Sequence, residues 1–438
     1  MPGPGAGAAR APAFVEPAPQ PAAQPGSDPG SDPGPDAGRD AVPLVHPRDG
    51  VPEVVTDPSG LAAVVAAFAA GNGPVAVDAE RASGYRYGQR AYLVQLRRTG
   101  AGTALVDPVP LPDLSDLGEA LADAEWVLHA ANQDIPCLNE VGMRPPRIFD
   151  TELAGRLLDY PRVGLGPLVE AVLGLSLEKG HSAADWSTRP LPEPWLRYAA
   201  LDVEVLVELR DALHAQLVES GKLEWALEEF AAIADAPPPE PRVEPWRRTS
   251  GLHRVRDRRR LAVVRALWEE RDARARERDL SPGRVLPDSA VVEAALAGPT
   301  SVAELSALPV FRGRAQRREA DRWFAAVERA RQLPEAELPS VALRYDGPPP
   351  ARSWPDRDPA AAARLAAARA AVTAVAAAHS VPVENLLAPE TLRRVAWTPP
   401  TPVDDDSVAA ALRERGARSW QVRLTAGPVA AAFRAAAG

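Results

Sequence analysis

Cysteine is all but missing from this 438-residue chain: Cys137 stands alone, which excludes a disulfide framework and a thiolate zinc cluster. Lysine is nearly as scarce, with only Lys179 and Lys222 among 50 lysines and arginines. Six histidines without paired spacing give no zinc site. No long apolar run is free of charge, since the alanine-rich stretch 359–379 is interrupted by arginines, so no membrane span is expected. No secretory leader is recognisable, and a cytoplasmic protein is the expectation. A net charge of −9, evenly spread, would argue against a nucleic-acid partner. It is not evenly spread: Arg242 to Arg278 holds 13 arginines against six acids. That block reads either as a phosphate-tracking surface or as a solvated helix face laced with i,i+4 pairs.

The length suits about three domains, and an apolar content of 46% suits a globular protein with sizeable cores. Residues 1–45 are Pro, Gly, Ala and Asp without periodicity and read as a disordered tail. A helix pattern opens at "DPSGLAAVVAAFAAG", with Asp57 and Ser59 as caps and Gly71 as a stop. Strands follow at "VAVD", "AYLVQLRR" and "TALVDP", then a helix, a strand "WVLHA", and helices to about Ala234. Strands first, then strand and helix in alternation, predict an α/β domain over 46–234 with a mixed sheet. Pro-rich breaks at 235–250 and 336–358 set off two helical segments, 251–335 and 359–438. Each is about 80 residues long, which hints at a duplicated helical domain.

Four acids fall where acids are costly. Asp78 and Glu80 project from the same face of a strand, about 7 Å apart. In "PWLRYAALDVEVLVELRDALHAQL" the apolar stripe of a helix runs through Trp195, Leu206, Leu209 and Leu213, and its missing positions are Tyr198 and Asp202. Asp134, just after "WVLHA" in a helical start that Asn132 can cap, shares a stripe with Leu138 and Val141. Inward acids on separate elements need a counter-charge. Oxygen-only ligation selects hard ions such as Mg²⁺ or Mn²⁺, and a pair of them about 4 Å apart suits in-line phosphoryl chemistry.

The three motifs "VDAE", "HAANQDIPCL" and "YAALD", in that order over residues 50–230, resemble those of the ribonuclease D family. They place the chain in the DEDD exonuclease subgroup with a tyrosine in its third motif. "FDTELAGRLL" and "LEKGHSAADWSTRPL" are similar to that family's intervening segments, while "DAER" departs from it in the residues after Asp78 and Glu80. The segments 251–335 and 359–438 resemble helicase-and-RNase-D C-terminal (HRDC) domains, the second a diverged copy in which "VPVENLLAPETLRRVAW" parallels "LSPGRVLPDSAVVEAAL". The resemblance implies an α/β ribonuclease-H-like exonuclease domain followed by two all-α HRDC-type domains. It implies metal-dependent 3′-to-5′ release of nucleoside 5′-monophosphates from RNA, chiefly transfer RNA precursors; no membrane association is expected, and no obligate protein partner is inferred. Asp78, Glu80 and Asp202 would hold one cation, Asp78 and Asp134 a second, and Tyr198 would orient the attacking water.

Two other readings stay open at this stage: the same chemistry on DNA ends, and a non-catalytic RNA-binding protein. Lys179 and Arg189 are candidates for phosphate contacts, and Trp186 for stacking on a base or for packing beneath its loop. His129 is a contact to the terminal sugar or a hydrogen-bonded core histidine. Asp150 reads as a helix N-cap and Cys137 as a small core residue. The helical segments are expected to add RNA affinity without being needed for chemistry on short oligomers.

Overall fold

A computed structural model describes residues 41–178, 180–181, 183–238, 240–341 and 347–436. The described residues form eight strands: β1 (Val42–Leu44), β2 (Val54–Val55), β3 (Asn72–Arg81), β4 (Ala91–Thr99), β5 (Gly102–Val106), β6 (Trp126–Leu128), β7 (Ile148–Asp150) and β8 (Leu175–Leu177). Six make one mixed sheet in the order β2-β5-β4-β3-β6-β7. Strands β3, β4 and β5 are an antiparallel meander, and β2, β6 and β7 join in parallel.

With a partner on each side, β3 is apolar on both faces, and Val75, Ala76 and Val77 are fully buried. Alternation then sorts its side chains. Val75, Val77 and Ala79 enter the core that holds Phe68 of helix Pro58–Ala70 and Leu117 of helix Ser115–Ala120. Ala76 packs the other way, against Val203 and Leu206, and Asp78 and Glu80 continue on that second face.

Two helices cover the second face. The expected single helix breaks at Val205 (φ −102°, ψ −8°) into Glu193–Glu204 and Leu206–Glu219. The first lies across β3, β4 and β5, and the second turns away to pack on helices Thr151–Leu157 and Leu165–Leu173. One straight rod could not cover both surfaces.

Other boundaries also differ from expectation. Val42–Leu44, assigned to the tail, pairs in parallel with Leu175–Leu177. These two strands and β7 have three residues each, too few to show a period, so the sequence pattern passed over them. The linkers are shorter than predicted as well. Trp246 and Leu338 belong to the core of the first helical domain, and Trp354 is buried in that of the second. A tryptophan in a Pro-rich run is an anchor point, and both were read as spacer.

The two helical segments begin alike. Asp257 and Asp358 cap helices Arg258–Arg278 and Pro359–His379, and each carboxylate accepts the backbone N–H three residues on. Both helices end in a left-handed residue, Asp279 and Ser380, and short helices Pro282–Val285 and Val383–Leu386 follow. Corresponding residues are separated by the same interval in sequence throughout, as a duplication would leave them. Helix Pro359–His379 is long and apolar enough to cross a membrane by length and composition. Its stripe of Ala361, Leu365, Ala368, Val372 and Ala376 is buried, and it packs on helices Pro389–Trp397 and Ser419–Ala435. The arginine block is largely structural. Arg258 bonds Glu335, Arg271 bonds Asp288, and Arg274 bonds Glu319, tying neighbouring helices together.

The second helical domain is welded to the α/β domain. Buried Lys222 donates to the carbonyls of Leu157 (2.8 Å) and Ser380 (2.9 Å), one from each domain. Trp225 stacks on Trp420 with ring centroids 5.0 Å apart, and Glu229 accepts from the Trp420 indole at 3.0 Å. Replacing Lys222 by Ala orphans two carbonyls, so Lys222→Ala should destabilise the protein by about 1–3 kcal/mol. A urea midpoint equal to that of the wild type would contradict this bridge.

Candidate active site

Strand β3, the turn after β6 and helix Glu193–Glu204 converge on a cavity of about 280 Å³. Asp78, Glu80, Asp134, Tyr198, Asp202 and His129 all line it. Carboxylate oxygens of Asp78, Glu80 and Asp202 lie within 4.8 Å of one another, and Asp134 shares a hydrogen bond with Asp78. Glu80 and Asp134 are buried, at 8% and 5% exposure.

Each acid has a local reason to be there. Asp78 stands opposite Gln95 of β4, whose amide donates to its Oδ2 at 3.1 Å. Asp134 occupies the N-cap position of helix Ile135–Glu140 without making a cap bond, so its carboxylate is free to face the cavity. Asn132, the expected cap, lies instead within the 3₁₀ turn Ala131–Gln133. That turn is held by Asp150, which accepts from the N–H groups of Ala130, Ala131, Glu152 and Leu153 at 2.9–3.2 Å. Asp150 is therefore an N-cap and a splint for the Asp134 segment. Burial pushes its carboxyl up to about 6, against the pull of those N–H donors.

The site is electrostatically frustrated. Burial raises Asp78, Glu80, Asp134 and Asp202 above ordinary carboxylate values. Glu80 is raised further by the charges of Asp78, Asp202 and Asp134, and both Asp134 and Asp202 by that of Asp78. Among the described residues Arg81 is the only arginine or lysine lining the cavity, 3.6 Å from Asp134. An all-oxygen donor set this close, buried and under-compensated, fits hard divalent cations. Burial, with the neighbouring Asp202 and Glu80 charges, raises the Tyr198 phenol far above its usual range, so it stays protonated and hydrogen-bonds to Asp202. His129 is pushed down to about 4 by burial and is neutral at neutral pH.

The four expected substrate contacts fare differently. His129 reaches the cavity. Arg189 does not: its guanidinium forks onto Asp107 at 2.6 and 2.8 Å and donates to the carbonyls of Tyr92, Trp186 and Thr188. It has no donor left for a phosphate. Trp186 is fully buried in the cluster with Tyr92, Leu93 and Ala199, its ring 6.5 Å from that of Tyr198. It is the packing residue beneath the loop and not a surface for a base. Lys179 lies outside the described residues. Gln95, Gln133 and Arg81 were missed. Gln95 is legible in retrospect as the one amide in the apolar run "AYLVQL".

A second cavity of about 230 Å³ adjoins the first, sharing Ala79, Glu80 and Arg81, and is walled by Ser83, Gly84, Tyr85, Ala183 and Ala184. Its loop is gripped by the first helical domain. Ser281 donates its N–H to the Tyr85 carbonyl (2.9 Å) and its hydroxyl to that of Gly84 (3.0 Å). Arg284 also bonds the Gly84 carbonyl and lies 4.1 Å over the Tyr85 ring, and Tyr87 donates to Asp272. The expected independence of the helical segments from chemistry on short oligomers does not follow from this geometry, because one of them shapes a wall beside the carboxylates.

Comparison with known proteins gives a consistent result. Residues 52–218 match a family model described as 3′-5′ exonuclease, 260–327 the HRDC domain, and 347–433 a 3′ to 5′ exonuclease C-terminal domain. The chain is similar to the ribonuclease D of Granulibacter bethesdensis, 33% identical over 275 residues, covering 61% of this chain and 69% of that one. Among solved structures it is similar to a protein from Bifidobacterium adolescentis, with a TM-score of 0.84 and 40% identity over 90% of this chain and 100% of the other. It is also similar to Escherichia coli RNase D, described as an exoribonuclease involved in structured RNA processing, with a TM-score of 0.63 and 28% identity over 83% and 98% of the two chains.

Carboxyls raised in the folded state stabilise it fully only below their unfolded values, and that contribution is lost as pH rises through the raised ones. The metal-free protein should therefore lose stability as pH rises above the ordinary carboxylate range, and Asp78→Asn should lose less. Mn²⁺ should restore the wild type far more than the variant. Thermal midpoints in chelator across that rise check this; a variant no more stable than the wild type at the upper end would contradict it.

Proposed function

The chain belongs to the ribonuclease D family and is a 3′-to-5′ exoribonuclease; from that premise we propose that Asp78, Glu80, Asp134 and Asp202 hold a pair of divalent cations, Mg²⁺ or Mn²⁺, and that transfer RNA precursors with trailing 3′ nucleotides are its substrates. The observation that carries the site assignment is the convergence of Asp78, Glu80 and Asp202 oxygens within 4.8 Å in a cavity that, among the described residues, a single arginine and no lysine borders. Exonucleases of this family depend on divalent metal. When bound, such a pair lowers the pKa of the attacking water and stabilises the leaving oxygen.

The residues do the rest by position. Asp78, whose carboxylate lies within 4.8 Å of those of Glu80 and Asp202 and hydrogen-bonds with Asp134, would be the ligand common to both ions, with Glu80 and Asp202 serving one and Asp134 the other. Tyr198 gives its proton to the hydrogen bond with Asp202, which leaves its oxygen lone pairs to accept from the attacking water. As a phenol that does not ionise in the working range, it orients that water and does not deprotonate it. His129 faces Thr151 Oγ1 at 2.9 Å, and that hydroxyl donates to the Leu128 carbonyl. The Thr151 oxygen then accepts from His129 Nδ1, so Nε2 is the ring's free acceptor. We assign Nε2 to a hydroxyl of the terminal ribose, a contact that a 2′-deoxy sugar supplies less well. Cytoplasmic residence belongs to the same proposal, and the one thiol, Cys137, is buried and pushed up to about 12 by that burial.

Asp78→Asn and Asp202→Asn should each lower the rate of mononucleotide release by at least about 10³-fold while far-UV circular dichroism is unchanged. His129→Ala should narrow the preference for RNA over matched single-stranded DNA by about tenfold. Full activity of either carboxylate variant, or in excess chelator, would contradict the metal reading. Faster wild-type cleavage of DNA would redirect it to DNA ends.

A further inference from the structure

Arg81 is held oddly for a structural arginine. Strict alternation along β3 would turn it to the face of Ala79. The β3–β4 register slips between Glu80, opposite Leu93, and Arg81, opposite Ala91, and such an irregularity re-aims a side chain. Its guanidinium reaches Asp134 in the carboxylate cavity, and the residue lines the second cavity as well. There its contacts are loose: Nη2 is 3.6 Å from Asp134 Oδ1 and 3.5 Å from Gln133 Oε1. Its side chain makes no other hydrogen bond or ion pair among the described residues. Arg189, by contrast, closes on Asp107 at 2.6 and 2.8 Å.

Position and looseness point to a movable group. An arginine is a permanent cation, so its guanidinium and a divalent ion compete for the Asp134 carboxylate. Resting on the assignment of Asp134 as a ligand, we propose that Arg81 is a phosphate-positioning residue that screens Asp134 until a divalent cation arrives. Displaced from Asp134, the guanidinium stays tethered at the junction of the two cavities. An RNA 3′ end laid across both cavities brings a phosphodiester to that junction. The planar fork of arginine matches two of its oxygens, which the point charge of lysine does not. The residue thus trades one anionic partner for another.

The two roles predict effects of opposite sign, which a merely structural role would not. In Arg81→Gln, Mn²⁺ titrated alone by calorimetry should bind about fivefold tighter or more, because its competitor is gone. In the same variant KM for a short single-stranded RNA should rise about tenfold, with a smaller fall in kcat. Arg81→Lys should leave Mn²⁺ affinity near that of the wild type and recover only part of the loss in KM. Mn²⁺ affinity unchanged or weakened in Arg81→Gln, or an unchanged KM, would overturn the proposal while leaving the carboxylate assignment standing. Failure of the wild-type protein to take up Mn²⁺ would overturn both.

Discussion

Mutual repulsion among four buried or half-buried carboxyls is the constraint around which this molecule is arranged. A folded chain rarely keeps several acids in one enclosed pocket, since each costs solvation and raises the others. Here Asp78, Glu80, Asp134 and Asp202 are brought together by a central strand, a turn and a helix, and among the described residues one loosely held arginine is the only arginine or lysine that lines the pocket. Such a site is poorly stable when empty and gains when filled by charge of the opposite sign. The same property that makes it a liability to the fold makes it a receptor for hard cations.

Rigid surroundings keep the acids from moving apart. Gln95 pins Asp78 from the neighbouring strand, and Asp150 braces the turn that carries Asp134 through four backbone N–H groups. Trp186 and Trp195 pack beside Tyr198, and the bidentate Arg189–Asp107 pair fastens the loop that delivers Trp186. Two residues first read as substrate contacts are thus part of the frame. The helical domains extend it in different ways. One shares a continuous apolar core with the α/β domain through Trp225 and Trp420, and the other holds the backbone of Gly84 and Tyr85 beside the site.

Much of this was legible before any coordinates. The carboxylates and Tyr198 stood out because a strand period of two and a helix period near four leave acids in slots that should be apolar. The caps Asp57 and Asp150 were readable for the same local reason, a short acid before a helix. What escaped was set by distant partners. Whether Arg189 meets a phosphate or Asp107 depends on a residue far away in sequence, and nothing in "STRPL" records that choice. Arg81 looked unremarkable because the slip in register that turns it into the site is a property of the β3–β4 pairing. The short strands β1, β7 and β8 and the buried tryptophans in Pro-rich runs were missed because periodicity needs length.

The central claim is that the acidic pocket is a two-cation site. Anomalous diffraction at the manganese edge from crystals soaked in Mn²⁺ tests it most directly. The account predicts two peaks about 4 Å apart, both within ligand distance of Asp78, with Glu80 and Asp202 completing one and Asp134 the other. Saturating Mn²⁺ with no peak in the pocket, or peaks only elsewhere on the protein, would contradict it.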